Sequence, residues 1–412
     1  MSGGAPLDAA ASDPIAMGWM QGSPPAPGKT LRFADNSAAV FPATRWTFSH
    51  SRELVPTAGV DRGDGPMTVF PRAERDDIDA LSFTTLDGRP MTWARSLAES
   101  YTDGIVIVKR GAIVYERYFG ALAPRREHRA FSVTKSYVGT LAAMLAHEGT
   151  LDPHARVPHY VPELAGTAFG DATLRQVMDM TTGLRYSEAY ADARADVWDY
   201  ARAGGMVPLP PGYSGAATFY DYLVTMDKEG EHGQAFAYKT VNTEVLTWVL
   251  KRITGLGLAD MLSQRIWSKL GAERDAYFTV DSIGAESGGG GLNTLLRDNA
   301  RFGEAMRCDG AFNGQQIVPA AVVADIRRGA DPAHFAQAGY VTLPGFSYRN
   351  KWWVAPPERG VFAARGIHGQ LIWVDPAQEL VIARYASHPM AANAFLDPVS
   401  LPAWEAVTRQ LR

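Results

Sequence analysis

Apolar, β-branched runs sit at two widely separated places in this sequence, and most of what lies between them reads as helix. Ile105 to Val108 and Ile113 to Phe119 are joined around Arg110-Gly111. Leu371 to Val374 and Leu380 to Ala386 are joined by Pro376-Ala377-Gln378-Glu379. Each pair has the composition and turn chemistry of a hairpin. Hairpins near both ends with a helical block between them predict an α+β protein whose sheet takes strands from both termini.

The helical block is read from spacing. Val133, Tyr137, Leu141, Met144 and Leu145 recur at helical intervals, and Gly149 closes that run. Leu174 to Met180 predicts a short helix ended by Gly183. Thr243 to Thr254 carries Val245, Leu246, Val249, Leu250 and Ile253 on one face and stops at Gly255, and Leu258 to Leu270 continues in the same style. Ala203 to Ala216 is a Gly/Pro-rich loop, long enough for a lid or a pocket wall. Residues 1–40 predict an arm, poorly ordered or strapped to the surface, and the stretch from there to Pro71 shows no clear period. Gly288 to Gly291 lacks the Lys and Ser/Thr of a phosphate loop and predicts a tight connection before a helix from Thr294. The expected organisation is an arm over 1–40, a sheet region from 41–150 and 275–412, and a helical region over 151–274, with the site between them.

Bulk properties narrow the function classes. The 412 residues suffice for a large buried core, and a net charge of −4 gives no pull toward nucleic acid or an anionic membrane. Basic residues are nowhere interleaved with aromatics in the manner of a nucleic-acid surface. No stretch is apolar enough to span a membrane, and the first 40 residues lack a signal-peptide pattern. Cys308 is the single cysteine, so no intrachain disulfide forms. These features predict a cytoplasmic protein. The nine histidines show no metal-ligand spacing; His154 and His159 read as surface residues, and no metal or organic cofactor is expected.

The chemistry concentrates at Ser132-Val133-Thr134-Lys135, where a helix should begin. A spacing of three puts the hydroxyl and the amine on one helix face, one turn apart. An amine held there can take the hydroxyl proton and make a nucleophile. Ser132 also suits a helix cap, and a lysine can simply be solvated. Lys135, however, is the only lysine between Lys109 and Lys228, in a helix that looks buried on most sides. Burial lowers a lysine pKa.

Phe131-Ser-Val-Thr-Lys-Ser136 and Gly149-Thr-Leu-Asp152-Pro153 resemble the active-serine region of the serine β-lactamase/DD-peptidase superfamily. Tyr160-Val-Pro-Glu-Leu-Ala-Gly166, Gln176-Val-Met-Asp-Met180 and Asn242-Thr-Glu-Val-Leu-Thr-Trp248 resemble its 6-aminohexanoate-dimer hydrolase branch. The resemblance implies an antiparallel sheet flanked by helices beside an all-helical region. It implies Ser132 as nucleophile and Lys135 with Tyr238 as its coupled proton carriers. The superfamily follows this tyrosine with x-Asn or x-Ser; here Thr240 takes that place, so Thr240 and Asn242 both stand as candidates to line the site. Gly366 matches the glycine of the superfamily's Lys-Thr-Gly type box. Ile367 would then pair its N–H with that of Ser132 as an oxyanion hole, with His368 and Gly369 beside the pocket. Tyr190 matches a tyrosine that holds the scissile nitrogen. The position where some relatives carry an acidic residue for a substrate ammonium falls near Ala201, with Asp196 and Asp199 close by but not aligned. The implied activity is serine hydrolysis of small-molecule linear amides and esters through an acyl-enzyme. A carboxylesterase, a β-lactamase or DD-peptidase, and a penicillin-binding protein without turnover share this machinery. A homodimer stays open as an assembly.

Overall fold

The structure, a computed structural model, describes residues 5–412. Its centre is a seven-stranded antiparallel sheet in the order Ser347–Arg349, Trp352–Val354, Phe362–Gly366, Gln370–Asp375, Leu380–Ala386, Thr102–Lys109, Ala112–Tyr118. The two expected hairpins lie side by side in it. Leu380–Ala386 pairs with Thr102–Lys109, placing Ile382 opposite Ile107 and Val381 opposite Val108. The sheet thus draws strands from both ends of the chain.

Alternate side chains of these strands point to opposite faces. Val106 and Val108 join Ile372, Val374, Val381 and Phe302 in one core, with the helix Leu296–Arg307 laid across that face. Ile105 and Ile107 join Leu371, Ile382, Trp93 and Trp404 in the other, beneath helices Trp93–Glu99 and Asp397–Gln410. A sheet covered on both faces needs apolar residues at every position, which is why these strands read as unbroken apolar runs.

The predicted helices form with adjusted bounds. The serine helix spans Val133–His147 and is buried from Val133 through Leu145, as expected of a helix apolar on all sides. Val241–Thr254 ends at Gly255, whose φ of 69° is the left-handed C-cap conformation. Leu174–Met178 starts with a Thr173/Gln176 capping box and stops two residues early. The stretch expected as one helix from Leu258 breaks at Ile266, which leaves helical geometry at φ −130°, so Leu258–Arg265 is followed by a separate turn. The helix expected from Thr294 starts at Leu296, because Leu292–Thr294 is a strand.

That strand belongs to a second, four-stranded sheet that periodicity does not reveal: Thr57–Val60, Ala276–Thr279, Leu292–Thr294, His128–Arg129. Its strands are two to four residues long, too short to establish a period of two. Part of the stretch read as irregular before Pro71 is therefore β-structure. Gly366 and Leu371 lie on two antiparallel strands joined by a tight turn, with Gly366 opposite Gln370. His368 at φ 62° and Gly369 at φ 100° make the reversal.

The described part of the arm is a strap. Arg45, 3% exposed, donates to the Ala9 carbonyl at 2.5 Å and to Ser12 Oγ at 3.2 Å, and pairs with the buried Asp103 at 3.4 Å. Tyr101 Oη donates to the Leu7 carbonyl at 2.7 Å. No helix among the described residues is long and apolar enough to cross a membrane. Charge-assisted hydrogen bonds such as those of Arg45 contribute about 1.5–3 kcal/mol each. Arg45→Ala should therefore lower unfolding stability by at least about 2 kcal/mol and expose the arm to limited proteolysis. An unchanged denaturant midpoint with an intact arm would show that the strap is held elsewhere.

Candidate active site

Phe131, immediately before the serine helix, has a φ of 45°, left-handed and unusual for a bulky residue. It is held there by packing: its ring meets Phe48 at 4.7 Å and His368 at 5.4 Å. The bend delivers Ser132 to the N-cap position, yet the hydroxyl caps nothing. It accepts a hydrogen bond from Lys135 Nζ at 2.8 Å instead.

Lys135 is 1% exposed. Its amine also donates to the Gly289 carbonyl at 2.5 Å and lies 5.2 Å from the centre of the Tyr238 ring. Burial pulls its pKa down to about 8, against the opposing pull of the Glu188 and Glu244 carboxylates. At pH 7 about a tenth of this amine is therefore unprotonated, far more than of an ordinary lysine. A neutral amine has two N–H groups and one lone pair. An N–H engaged by Gly289 leaves the lone pair free to face Ser132.

The tetraglycine run is part of this site, not a mere connection. A Cβ on Gly289 would sit 2.8 Å from both Glu244 Oε1 and Tyr200 Oη, so only glycine fits. The loop is held by Glu244, a 3%-exposed carboxylate that accepts from the Gly288 and Gly289 amides at 3.0 and 2.8 Å, from Tyr200 Oη at 2.6 Å and from Ser287 Oγ at 3.3 Å. Burial pushes the Glu244 pKa up; these bonds and Lys135 pull against it.

Tyr238 stacks on Trp353, ring centres 5.6 Å apart. Its hydroxyl is buried and has no hydrogen-bond partner among the described residues. Burial, followed by the Glu188 charge, holds its pKa well above 10, while the neighbouring Ser132 hydroxyl pulls the other way. The phenol is thus close to Ser132 but outside hydrogen-bond geometry in the resting site.

The Gly366 strand closes the far side. A Cβ on Gly366 would lie 3.0 Å from the Ser132 nitrogen and 2.8 Å from the Ala130 oxygen, a close approach that requires glycine. Among the described residues neither the Ser132 nor the Ile367 amide donates a hydrogen bond. His368 Nδ1 is 2.7 Å from the His388 carbonyl, so that nitrogen carries the proton. Burial lowers the His368 pKa to about 4, so the ring is neutral.

Two expectations need correction. Asn242 does not line the site: it is wholly buried, its Oδ1 taken by Thr182 Oγ1 at 2.8 Å and its Nδ2 by the Lys239 carbonyl at 3.1 Å. Thr240 is the nearer of the two, its methyl against Gly289. Gly369 is buried behind the turn, where a Cβ would meet Ala386 at 3.0 Å and Arg384 at 3.3 Å; its left-handed φ is what the position needs. Tyr190 is half-buried and donates to Glu188 Oε2 at 3.1 Å. Ala201 is buried, Asp196 accepts from the Ser187 amide at 2.8 Å, and Asp199 pairs with Arg202. The carboxylate beside Tyr190 is Glu188, held by Tyr190 and by the Thr240 amide. Glu244 sits inside a stretch that carries the resemblance, Asn242 to Trp248, and Glu188 stands two residues before Tyr190, but nothing in either place marks a carboxylate as directed at Lys135.

The β-lactamase family model matches residues 94–395. The chain belongs to the β-lactamase family. Within it, the chain is 35% identical over 349 residues to the 6-aminohexanoate-dimer hydrolase of Paenarthrobacter ureafaciens, covering 84% of this chain and 86% of that one. A solved structure from Bacillus anthracis, a 6-aminohexanoate-dimer hydrolase candidate, superposes with a TM-score of 0.85 at 29% identity, over 94% of this chain and 99% of that one. A family VIII carboxylesterase shares the fold with a TM-score of 0.54 at 19% identity, over 74% of this chain and 91% of that one. The antiparallel sheet flanked by helices is thus the β-lactamase-type α+β fold.

The buried amine sets a pH dependence for this β-lactamase-family site. A lysine that must accept a proton works only when neutral, so kcat/KM should rise with pH and level off above about 8. The measurement is the pH profile of kcat/KM with an uncharged ester. An acidic limb centred at about pH 6.5 or below, the range of an ordinary histidine or carboxylate, would assign the base to another group.

Proposed function

We propose that this serine hydrolase cleaves linear amides and short-chain esters through an acyl-enzyme on Ser132. The observation that carries this reading is the 2.8 Å contact of Ser132 Oγ with a water-excluded amine whose pKa is lowered to about 8. Neutral Lys135 takes the Ser132 proton as Oγ bonds to the substrate carbonyl carbon. The amides of Ser132 and Ile367 receive the oxyanion; preorganised donors of this kind are worth roughly 3–4 kcal/mol each. Collapse breaks the C–N or C–O bond, and the proton passes to the leaving group through Lys135 and Tyr238. The unpartnered Tyr238 hydroxyl is free to form that hydrogen bond once a substrate is bound. Water then attacks the ester of Ser132, losing its proton to the same pair, which returns it to Ser132 Oγ as the acid departs. The two groups titrate as a unit.

The substrate reading follows from Glu188. It is half-buried, and its charge reaches Lys135, Tyr238 and Tyr190. The Tyr186 hydroxyl, near the same carboxylate, is buried and unpartnered among the described residues. A cationic end on the substrate finds its counter-charge here. Tyr190, kept protonated by burial and by Glu188, is available to donate to a departing nitrogen.

A serine-directed phosphonate should add once, on the peptide containing Ser132, and Ser132→Ala should be inactive. Lys135→Ala and Tyr238→Phe should each lose at least about a hundredfold in kcat, with the double variant little worse than the worse single. Labelling elsewhere, or fully multiplicative losses, would overturn the shared proton path.

Esters have the better leaving group, so short esters should be cleaved faster than 6-aminohexanoate dimer. Tyr190→Phe should damage amide hydrolysis and spare esters. Glu188→Gln should raise KM for substrates with a terminal ammonium about tenfold or more, since a charge-assisted contact is worth about 1.5–3 kcal/mol. Equal effects on charged and uncharged substrates would reduce Glu188 to a support for Tyr190.

A further inference from the structure

We propose that Asn393 is a positioning residue that aims the Ile367 amide at the reacting carbonyl oxygen. The proposal rests on the reading of Ile367 as an oxyanion donor. In a trans peptide the C=O of one residue and the N–H of the next lie in one plane and point in opposite directions. The N–H of Ile367 therefore shares its plane with the carbonyl of Gly366. Asn393 Nδ2 donates to that carbonyl at 3.1 Å. Fixing the oxygen on one side fixes the hydrogen on the other. A hydrogen bond accepted by the carbonyl also polarises the amide and makes its N–H a better donor.

The rest of the turn is held in the same way. Gln370 Nε2 donates to the Ile367 carbonyl at 3.0 Å, and Arg384 Nε donates to the Gly369 carbonyl at 2.9 Å. Arg384 is itself held by Ser400 Oγ at 2.9 Å, and Arg365, next to Gly366, pairs with Asp397. Asn393, Asp397 and Ser400 all come from one short stretch at the start of the C-terminal helix. That stretch clamps the turn from behind. The Ile367 amide, first of its 3-10 turn, has no intrahelical acceptor and none elsewhere among the described residues. Of these clamps, only Asn393 acts on the peptide that carries this N–H.

Asn393→Asp keeps the shape, removes the donor and sets a carboxylate oxygen against the carbonyl. Asn393→Leu removes the donor without adding charge. Both should lower kcat about tenfold, less than the hundredfold or more for deleting an oxyanion donor outright. KM should change by less than about twofold, because the interaction strengthens only as the oxyanion forms. Phosphonate inactivation should slow by the same factor as kcat. The comparison protein is Ile367→Pro, which deletes the N–H itself. Gly366, at φ −128° and ψ 154°, already has the extended conformation favoured before proline, and the first position of a turn accepts proline. An Ile367→Pro protein with full kcat overturns the oxyanion reading and the proposal with it. A crippled Ile367→Pro protein beside unaffected Asn393 variants overturns the role of Asn393 alone. A fall in kcat that only tracks a fall in Tm, with phosphonate inactivation unchanged, also overturns it.

Discussion

An amine taken out of water is the constraint around which the rest of this molecule is arranged. Lys135 can be 1% exposed only because its nitrogen meets Ser132 and the Gly289 carbonyl. The Gly289 carbonyl comes from a distant part of the chain. It is positioned by a loop too tight for any side chain at that residue, and the loop is tied down by Glu244 on the helix Val241–Thr254. The cost of desolvation is expressed as a lowered pKa, and a lowered pKa is what a base for serine needs near neutral pH. Glu188 and Glu244 limit how far that pKa falls, so the amine stays titratable.

The opposite wall of the site obeys a different rule. There the groups that face the gap without an acceptor among the described residues are the Ser132 and Ile367 backbone amides, and backbone direction is set by peptide planes. Two residues in left-handed conformation, Phe131 and His368, flank the gap between the serine helix and the Gly366 strand. Each is held by packing or by hydrogen bonds: Phe131 by Phe48, His368 by the His388 and Ala391 carbonyls. Local strain of this kind persists only where the surroundings over-determine it.

Part of this arrangement is legible in the order of residues. The strands Thr102–Lys109 and Leu380–Ala386 are long and largely apolar, so their type and hairpin partners can be read, as can the serine helix. The four-stranded sheet cannot, because its strands are too short to show a period. Ser132 and Lys135 are three apart on one helix, so their meeting is a local property. Asn242 reads as a candidate to line the site but lies elsewhere, because spacing along a loop and helix start does not say which side faces the pocket. Glu188, Glu244, Gly289 and Asn393 carry no sequence signal as partners, since each acts across a gap that only folding closes.

The sequence by itself determined the secondary elements that are long and apolar, the α+β class and the hydroxyl–amine pair, because each depends on neighbours within one turn or one hairpin. The tertiary structure decided how dry the amine is, which carboxylates face it, and where the Ile367 amide sits. Desolvation, charge and peptide orientation at a point depend on every segment packed around it, and those segments meet only in the folded protein.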